Sequence, residues 1–249
     1  MIDTSSQHQH QIRLLRASQS RLGRSYLKLV LMLKRWTWIA LVNGGHLIKR
    51  GLDILIASVA LVMAAPLFIL IAFLVRLDGG PVFFRQTRVG YMGREFGMLK
   101  FRSMCVNAEA KLADLLAKNE KAQGITFKMQ NDPRVTRVGR FIRKASIDEL
   151  PQLINVLSGD MSIVGPRPPL PREVALYSVE DRRRLQSMPG ITCLWQVGER
   201  NGGTFEIGDR NSIDFDEQVQ LDVRYIEQQT AARDLWIMMK TVPAMLLGK

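Results

Sequence analysis

The sequence predicts an α+β fold, mostly helical with one small β-hairpin, on a monotopic membrane anchor built as a re-entrant helix–break–helix. Three features carry that expectation. Residues 54–75 form an uncharged apolar run with Pro66 near its middle. Residues 79–102 set short apolar runs between Gly and Pro turn signals. Most of the remainder has helical periodicity, interrupted at 165–171 by a stiff loop containing four prolines.

Taken in order, residues 1–20 are polar, rich in Gln, Ser and His, and read as a flexible tail. Residues 21–48 read as an amphipathic interfacial segment. At 100° per residue Arg21, Arg24, Lys28 and Arg35 share one stripe, while Leu, Val, Met and Trp fill the rest. Trp36 and Trp38 suit the headgroup level of a bilayer. Residues 49–76 hold the membrane segment. A run of about 20 apolar residues is long enough to span a bilayer. Pro66, however, removes a backbone donor and kinks a helix. Both flanks are also basic, with Lys49 and Arg50 before the run and Arg76, Arg85 and Arg88 after it. Positive residues favour the cytoplasmic side, so a segment obeying both flanks enters and returns on that side. A spanning helix and a buried core helix are the alternatives. Residues 77–249 then form a cytosolic domain. It begins with the hairpin over 79–102 and continues with helices at 107–123, 136–145, 149–158, 172–187, 214–229 and 232–247.

Charge narrows the partners. The net charge is +12, and residues 1–50 carry nine basic residues against one acid, Asp3. A basic arm beside an apolar run fits an anionic membrane surface. A nucleic-acid partner is not expected, because Trp36 and Trp38 fall on the apolar face and are not interleaved with solvent-facing basic residues. Two cysteines, Cys105 and Cys193, make no disulfide framework and fit a reducing setting. All three histidines, His8, His10 and His46, precede the apolar run, so a His-ligated catalytic metal is not expected. The apolar run starts too late for a signal peptide.

The densest chemistry lies in Ser146–Pro168. Asp148 and Glu149 are adjacent carboxylates at the start of a short helix. Ser146 with Glu149 three residues on is a capping box, which by itself accounts for both residues. The alternative is a site. Arg140, Arg143 and Lys144 lie just upstream, Asp148 has the chemistry of a nucleophile on phosphorus, and Glu149 that of a cation ligand. Arg167 is set among the four prolines, so its planar fork is preorganised for phosphate oxygens; the plain alternative is a surface arginine. Lys100 and Arg102 alternate with apolar residues as one face of a strand, either solvated or substrate-binding. Arg200 belongs to a polar glycine loop suited to a nucleotide or sugar. Asp222 is an acid that either approaches a metal or pairs with Arg224 or another base.

Several strings together resemble the bacterial sugar transferase family, the monotopic polyprenyl-phosphate phosphoglycosyl transferases. They are Lys49–Asp53 before the Pro66 segment, Lys100–Met104, Ser146–Gln152, Gly159–Ser162, Val164–Pro168, Pro189–Thr192 and Leu221–Val223. The resemblance covers roughly residues 46–249 in order. It implies a re-entrant anchor at the cytoplasmic face of a bacterial inner membrane, with 77–249 as the catalytic domain. The implied reaction moves a phosphosugar from a nucleotide diphosphosugar, usually a UDP-sugar, to a polyprenyl phosphate, with Mg²⁺ required and UMP released. The product would be the first membrane-bound intermediate of a surface glycan or exopolysaccharide. Carried over, Asp148 is the nucleophile and Glu149 its metal-associated partner. Lys100, Arg143 and Arg167 match basic positions around the phosphates, and Asp222 matches an acid near the dyad. Metal ligands are then Asp148, Glu149 and Asp222. Inner-membrane lipids are partners, and homo-oligomerisation is left open. Ala65 precedes Pro66 where some members carry Ser. A catalytically silent, membrane-anchored interaction protein of the same fold is the alternative, against which the intact dyad and Arg167 speak.

Overall fold

The computed structural model describes residues 21–108, 110–111, 132–198 and 213–247. The tail 1–20, Arg200 and most of the helix expected over 107–123 lie outside the described residues. The chain divides into two compact units, residues 1–49 and 50–249. In the first, the described residues are helical, and Tyr26, Leu29, Leu31, Met32 and Leu33 are exposed along with Lys28 and Lys34.

Helix α1 spans Arg21–Arg76, with Pro66 inside it. Over Gly44–Arg76 it is long and apolar enough to cross a membrane. Within the second unit one stripe of α1 is buried, through Asp53, Ala57, Ile71 and Val75. These positions recur at helical spacing, so they share one face. The opposite face leaves Leu55, Val59, Val62, Met63, Ile69 and Phe73 exposed. A fully exposed aliphatic face is unfavourable in water and natural against lipid. The helix runs without interruption through Pro66.

An antiparallel hairpin follows, β1 (Phe83–Val89) with β2 (Glu95–Phe101), in register Phe83 to Phe101 and Val89 to Glu95. Its base closes on α1, where Phe68, Phe83 and Phe101 form a ring cluster with centroids 4.7–5.8 Å apart. Ile71, Val75, Phe101 and Ile142 complete that core. Helix α2 (Arg137–Lys144) starts at Thr136, whose side chain accepts from Gly139 N–H. It lies so close to the hairpin's exit that a Cβ on Gly139 would fall 1.9 Å from Ser103 O, so only glycine fits.

The helix expected over 149–158 begins later. A 3-10 turn, Ile147–Glu149, carries the carboxylates, and α3 (Gln152–Ser158) starts after Pro151. Next come β3 (Ser162–Val164), α4 (Pro171–Val174), a 3-10 turn at Asp181–Gln186, and β4 (Gly190–Thr192). Strands β3 and β4 pair in parallel, an element with no counterpart in the sequence prediction. The single helix expected at 172–187 is two short pieces. Ser178 and Asp181 exchange hydrogen bonds, Ser178 N–H to Asp181 Oδ2 at 2.8 Å and Asp181 N–H to Ser178 Oγ at 3.1 Å, and this reciprocal cap starts a new turn. Helices α5 (Phe215–Glu227) and α6 (Ala231–Leu247) match the expected spans to within a residue or two. The main core joins Ala57 of α1 to Met98, Leu153, Val156, Met161, Val164, Leu194, Tyr225 and Ile237.

Two charged residues moor α1 to the domain. Asp53 is buried and accepts from Ser162 Oγ at 2.7 Å and from Ile163 N–H at 3.1 Å. Arg50 donates to the carbonyls of Val156 at 2.6 Å and Leu157 at 3.1 Å, satisfying the orphan acceptors at the end of α3.

Candidate active site

The dyad turn is built by a chain reversal. After α2 ends, Ser146 adopts a left-handed backbone, φ 54° and ψ 19°. Glu149 N–H then bonds Ser146 O at 3.2 Å, and Leu150 N–H bonds Ile147 O at 3.1 Å. Ser146 makes no side-chain cap. The capping box therefore does not form, and Glu149 turns away to the hairpin. Its Oε1 accepts from Lys100 Nζ at 2.8 Å, with Arg167 Nη1 at 3.9 Å from the same oxygen.

This arrangement separates the two carboxylates electrically. Burial pushes Glu149 up, but Lys100, Arg167 and Arg88 outweigh it and hold its carboxyl down to about 2. Asp148 is buried at 7% exposure. For it, burial wins and the pKa rises above the ordinary 3.8, with Lys100 and Arg143 opposing and Glu149 adding to the rise. Asp148 makes no charge-assisted hydrogen bond to any of these cations among the described residues. A buried carboxylate with cations nearby, but none bound to it, keeps its lone pairs for attack.

Beside Glu149 lies a small open cleft lined by Arg88, Lys100, Glu149, Gln152 and Arg167, with Gly190 and Ile191 also in its lining. The proline loop is pinned to both neighbours: Val89 N–H donates to Pro169 O at 2.9 Å and Gly190 N–H to Pro166 O at 2.9 Å. Two of the lining residues, Arg88 and Gln152, are not among the binding residues that the sequence picks out. Arg88 carries no local signal beyond its charge, and Gln152 is a neutral residue in a helix. Arg88 is fixed by Nη1 donating to Pro168 O at 2.9 Å and by two bonds to Gln86 Oε1. Burial and the neighbouring Arg167 lower its pKa to about 10.

The other expected residues fall in different places. Arg143 is exposed in the last turn of α2 and acts on Asp148 through its field. Arg102 is buried and donates to Pro81 O at 2.8 Å, Val75 O at 2.9 Å and Met104 O at 3.4 Å. It thus ties the end of α1 to the hairpin and holds no free fork toward the cleft. Asp222 is buried and paired with Arg184, whose guanidinium lies 5.9 Å from the ring centres of Tyr177 and Phe215. Burial pushes Asp222 up to about 6, with Arg184 restraining the rise. Among the described residues no three Asp, Glu, His or Cys side chains are grouped to hold a metal. Two adjacent carboxylates, one firmly ionised and bonded through Oε1 alone, nevertheless fit Mg²⁺, which is commonly held by one or two carboxylates together with substrate phosphates.

Known proteins are similar to this chain over most of its length. Residues 44–248 match the bacterial sugar transferase family. The galactosyl transferase CpsE of Streptococcus agalactiae is 48% identical over 204 residues, 82% of this chain and 43% of that protein. The exopolysaccharide production protein ExoY of Rhizobium meliloti is 42% identical over 209 residues, 82% of this chain and 88% of the relative. The UDP-glucose:undecaprenyl-phosphate glucose-1-phosphate transferase of Caulobacter vibrioides is 40% identical over 203 residues, 80% of this chain and 69% of the relative. The chain thus spans less than half the length of CpsE and most of ExoY. With a dyad, a cation cluster and an apolar anchor in one unit, and a family match across four-fifths of its length, this chain belongs to the bacterial sugar transferases.

Proposed function

We propose that this chain transfers a phosphosugar from a nucleotide diphosphosugar, specifically a UDP-sugar, to a polyprenyl phosphate at the cytoplasmic face of a bacterial inner membrane. The observation that carries the reading is the pairing of a buried, unclamped Asp148 with an ionised Glu149 among Lys100, Arg167 and Arg88. The name of the Caulobacter relative, with its UDP-sugar donor and undecaprenyl-phosphate acceptor, supports both substrate classes. The name of the Rhizobium relative supports a role in exopolysaccharide production.

In the proposed reaction an Asp148 carboxylate oxygen attacks the sugar-bearing phosphorus. The bond from that phosphorus to the bridging oxygen breaks, and UMP leaves with that oxygen. A phosphate oxygen of the lipid then attacks the same phosphorus. The Asp148–phosphorus bond breaks, and the carboxylate returns free. Lys100 and Arg167 stabilise charge on the phosphoryl oxygens throughout. Asp148 and Glu149 would hold Mg²⁺, which supplies charge neutralisation at the diphosphate. Incubating the purified chain with undecaprenyl phosphate and a panel of UDP-sugars tests the reading. UMP and a diphosphate-linked lipid are expected, with activity lost in EDTA and restored by Mg²⁺. Release of UDP with a monophosphate-linked lipid would overturn it.

The pH dependence follows from the dyad. Attack needs ionised Asp148, so kcat/KM should fall on acidification with a midpoint above the ordinary 3.8. Lys100→Met removes the cation that most opposes the rise. It should therefore move the acidic limb to higher pH as well as lower the plateau.

The anchor reading is re-entrant. Its support is Pro66 within α1, basic residues at both ends of the apolar stretch, and the mooring of Arg50 and Asp53 to the same domain that Phe68 and Val75 pack against. Single cysteines at positions 46 and 80, in a chain lacking Cys105 and Cys193, should both label from the cytoplasmic side alone. Periplasmic labelling at position 46 means a spanning helix.

A further inference from the structure

The cleft beside Glu149 contains two polar side chains to which the reaction above gives no task. Gln152 is only 3% exposed and lines the cleft, yet its carboxamide bonds to no described residue. The carboxamide is therefore open to a polar group that enters the cleft. Arg88 is fixed in place by Pro168 O and Gln86 Oε1. Those bonds use three of the five N–H donors of a guanidinium and leave two. The charged groups lining the cleft are Arg88, Lys100 and Arg167 against Glu149 alone, an excess of two positive charges. The cleft is small and open, and its lining suits one anionic group.

We propose that Arg88 and Gln152 are substrate-binding residues that seat the nucleotide-side phosphoryl group of the donor diphosphate, with Arg167 beside them. This rests on the reading of the donor as a nucleotide diphosphosugar. The sugar-bearing phosphorus must lie at Asp148, and Asp148 does not line the cleft. A diphosphate that places one phosphorus there puts its neighbour over Glu149, between Arg88 and Gln152. The Gln152 amide donates to a phosphoryl oxygen, and Arg88 presents its remaining N–H groups to another. The phosphate held there is the one that leaves, so these two residues also retain UMP after the first step.

The test uses the full chain in detergent at fixed Mg²⁺ and four variants, Gln152→Leu, Gln152→Glu, Arg88→Met and Arg88→Lys. Inorganic pyrophosphate binding is measured by calorimetry, and donor KM, acceptor KM and UMP product inhibition by kinetics. Gln152→Leu should weaken pyrophosphate and UMP binding and raise donor KM, each about ten-fold, the worth of one hydrogen bond to an anion. Gln152→Glu should do worse, by adding a negative charge beside Glu149. Arg88→Lys should restore little of what Arg88→Met loses, because the planar fork is gone. Acceptor KM should not change. Gln152 has no described partner to lose, so Gln152→Leu keeps its fold even where an Arg88 variant does not. Unchanged pyrophosphate affinity and donor KM in Gln152→Leu overturn the proposal, as does a rise confined to acceptor KM. If pyrophosphate binding weakens as stated but no UDP-sugar is turned over by the parent chain, the seat stands and the proposed function falls.

Discussion

Asp148→Asn should fold normally and lose turnover by a factor on the order of 10³ or more, the scale of removing a covalent nucleophile. The amide is nearly the same size, so packing is kept. Stability should hold or rise at neutral pH. The folded pKa of Asp148 is raised, chiefly by burial, so the folded state prefers the neutral form. Its contribution is favourable below the unfolded value near 3.8 and is lost as pH climbs through the folded value. An amide has no charge to lose water, so that cost disappears. The neighbouring position should behave oppositely. Glu149 drops from 4.5 to about 2 on folding, so its stabilisation is present above 4.5 and lost as pH falls toward 2. That shift corresponds to roughly 3 kcal/mol as an upper estimate. Glu149→Gln should thus lower thermal stability where Asp148→Asn does not. Mass spectrometry of the parent chain mixed with donor alone should find a phosphosugar on the peptide containing Asp148, and none in Asp148→Asn. Parent-like turnover by Asp148→Asn would remove Asp148 from its role.

How far this site is legible in the sequence depends on how local each signal is. Asp148 and Glu149 sit in one short run, and their neighbours announce a turn and an anion-friendly setting. What the run does not reveal is the left-handed Ser146, which discards the capping box and frees Glu149 for Lys100. Lys100 and Arg167 are legible as candidates. That both approach the same oxygen of Glu149 is a tertiary fact. Arg102 illustrates the converse. Its spacing from Lys100 suggests a shared strand face, but strand β2 ends at Phe101, and the guanidinium turns to backbone carbonyls left open around the end of α1. Arg88 is one of several basic residues in the hairpin, alongside Arg85 and Arg94, and only the register opposite Phe96 and the path of the proline loop single it out. The parallel pairing of β3 and β4 is not legible, because three-residue strands carry too little alternation to register. By contrast, the break inside 172–187 is written in Ser178 and Asp181, a cap signature that helical periodicity conceals.

Arg184→Met should be strongly destabilising. Arg184 and Asp222 are 4% and 1% exposed, and each is the other's ionic partner. Methionine fills much of the same space but leaves Asp222 as a buried carboxylate without its counter-charge. Breaking a buried pair from one side costs about 3–5 kcal/mol, a large share of the roughly 5–15 kcal/mol that holds a domain folded. The size of the loss should depend on pH. With Arg184 present, burial already pushes Asp222 up to about 6. Without it the folded pKa rises further. A group whose folded pKa is raised is tolerated below its unfolded value near 3.8 and becomes a growing liability as pH rises through the folded value. The variant should therefore approach the parent in stability near pH 5 and fall well below it near pH 8, measured by thermal unfolding in detergent across roughly that range. Arg184→Met with Asp222→Leu should recover much of the loss at about pH 8, because an apolar pair of similar volume replaces a buried ion pair at little cost. A pH-independent deficit that the double variant does not relieve would mean that Arg184 acts through its packing on Tyr177 and Phe215 and not through the charge of Asp222.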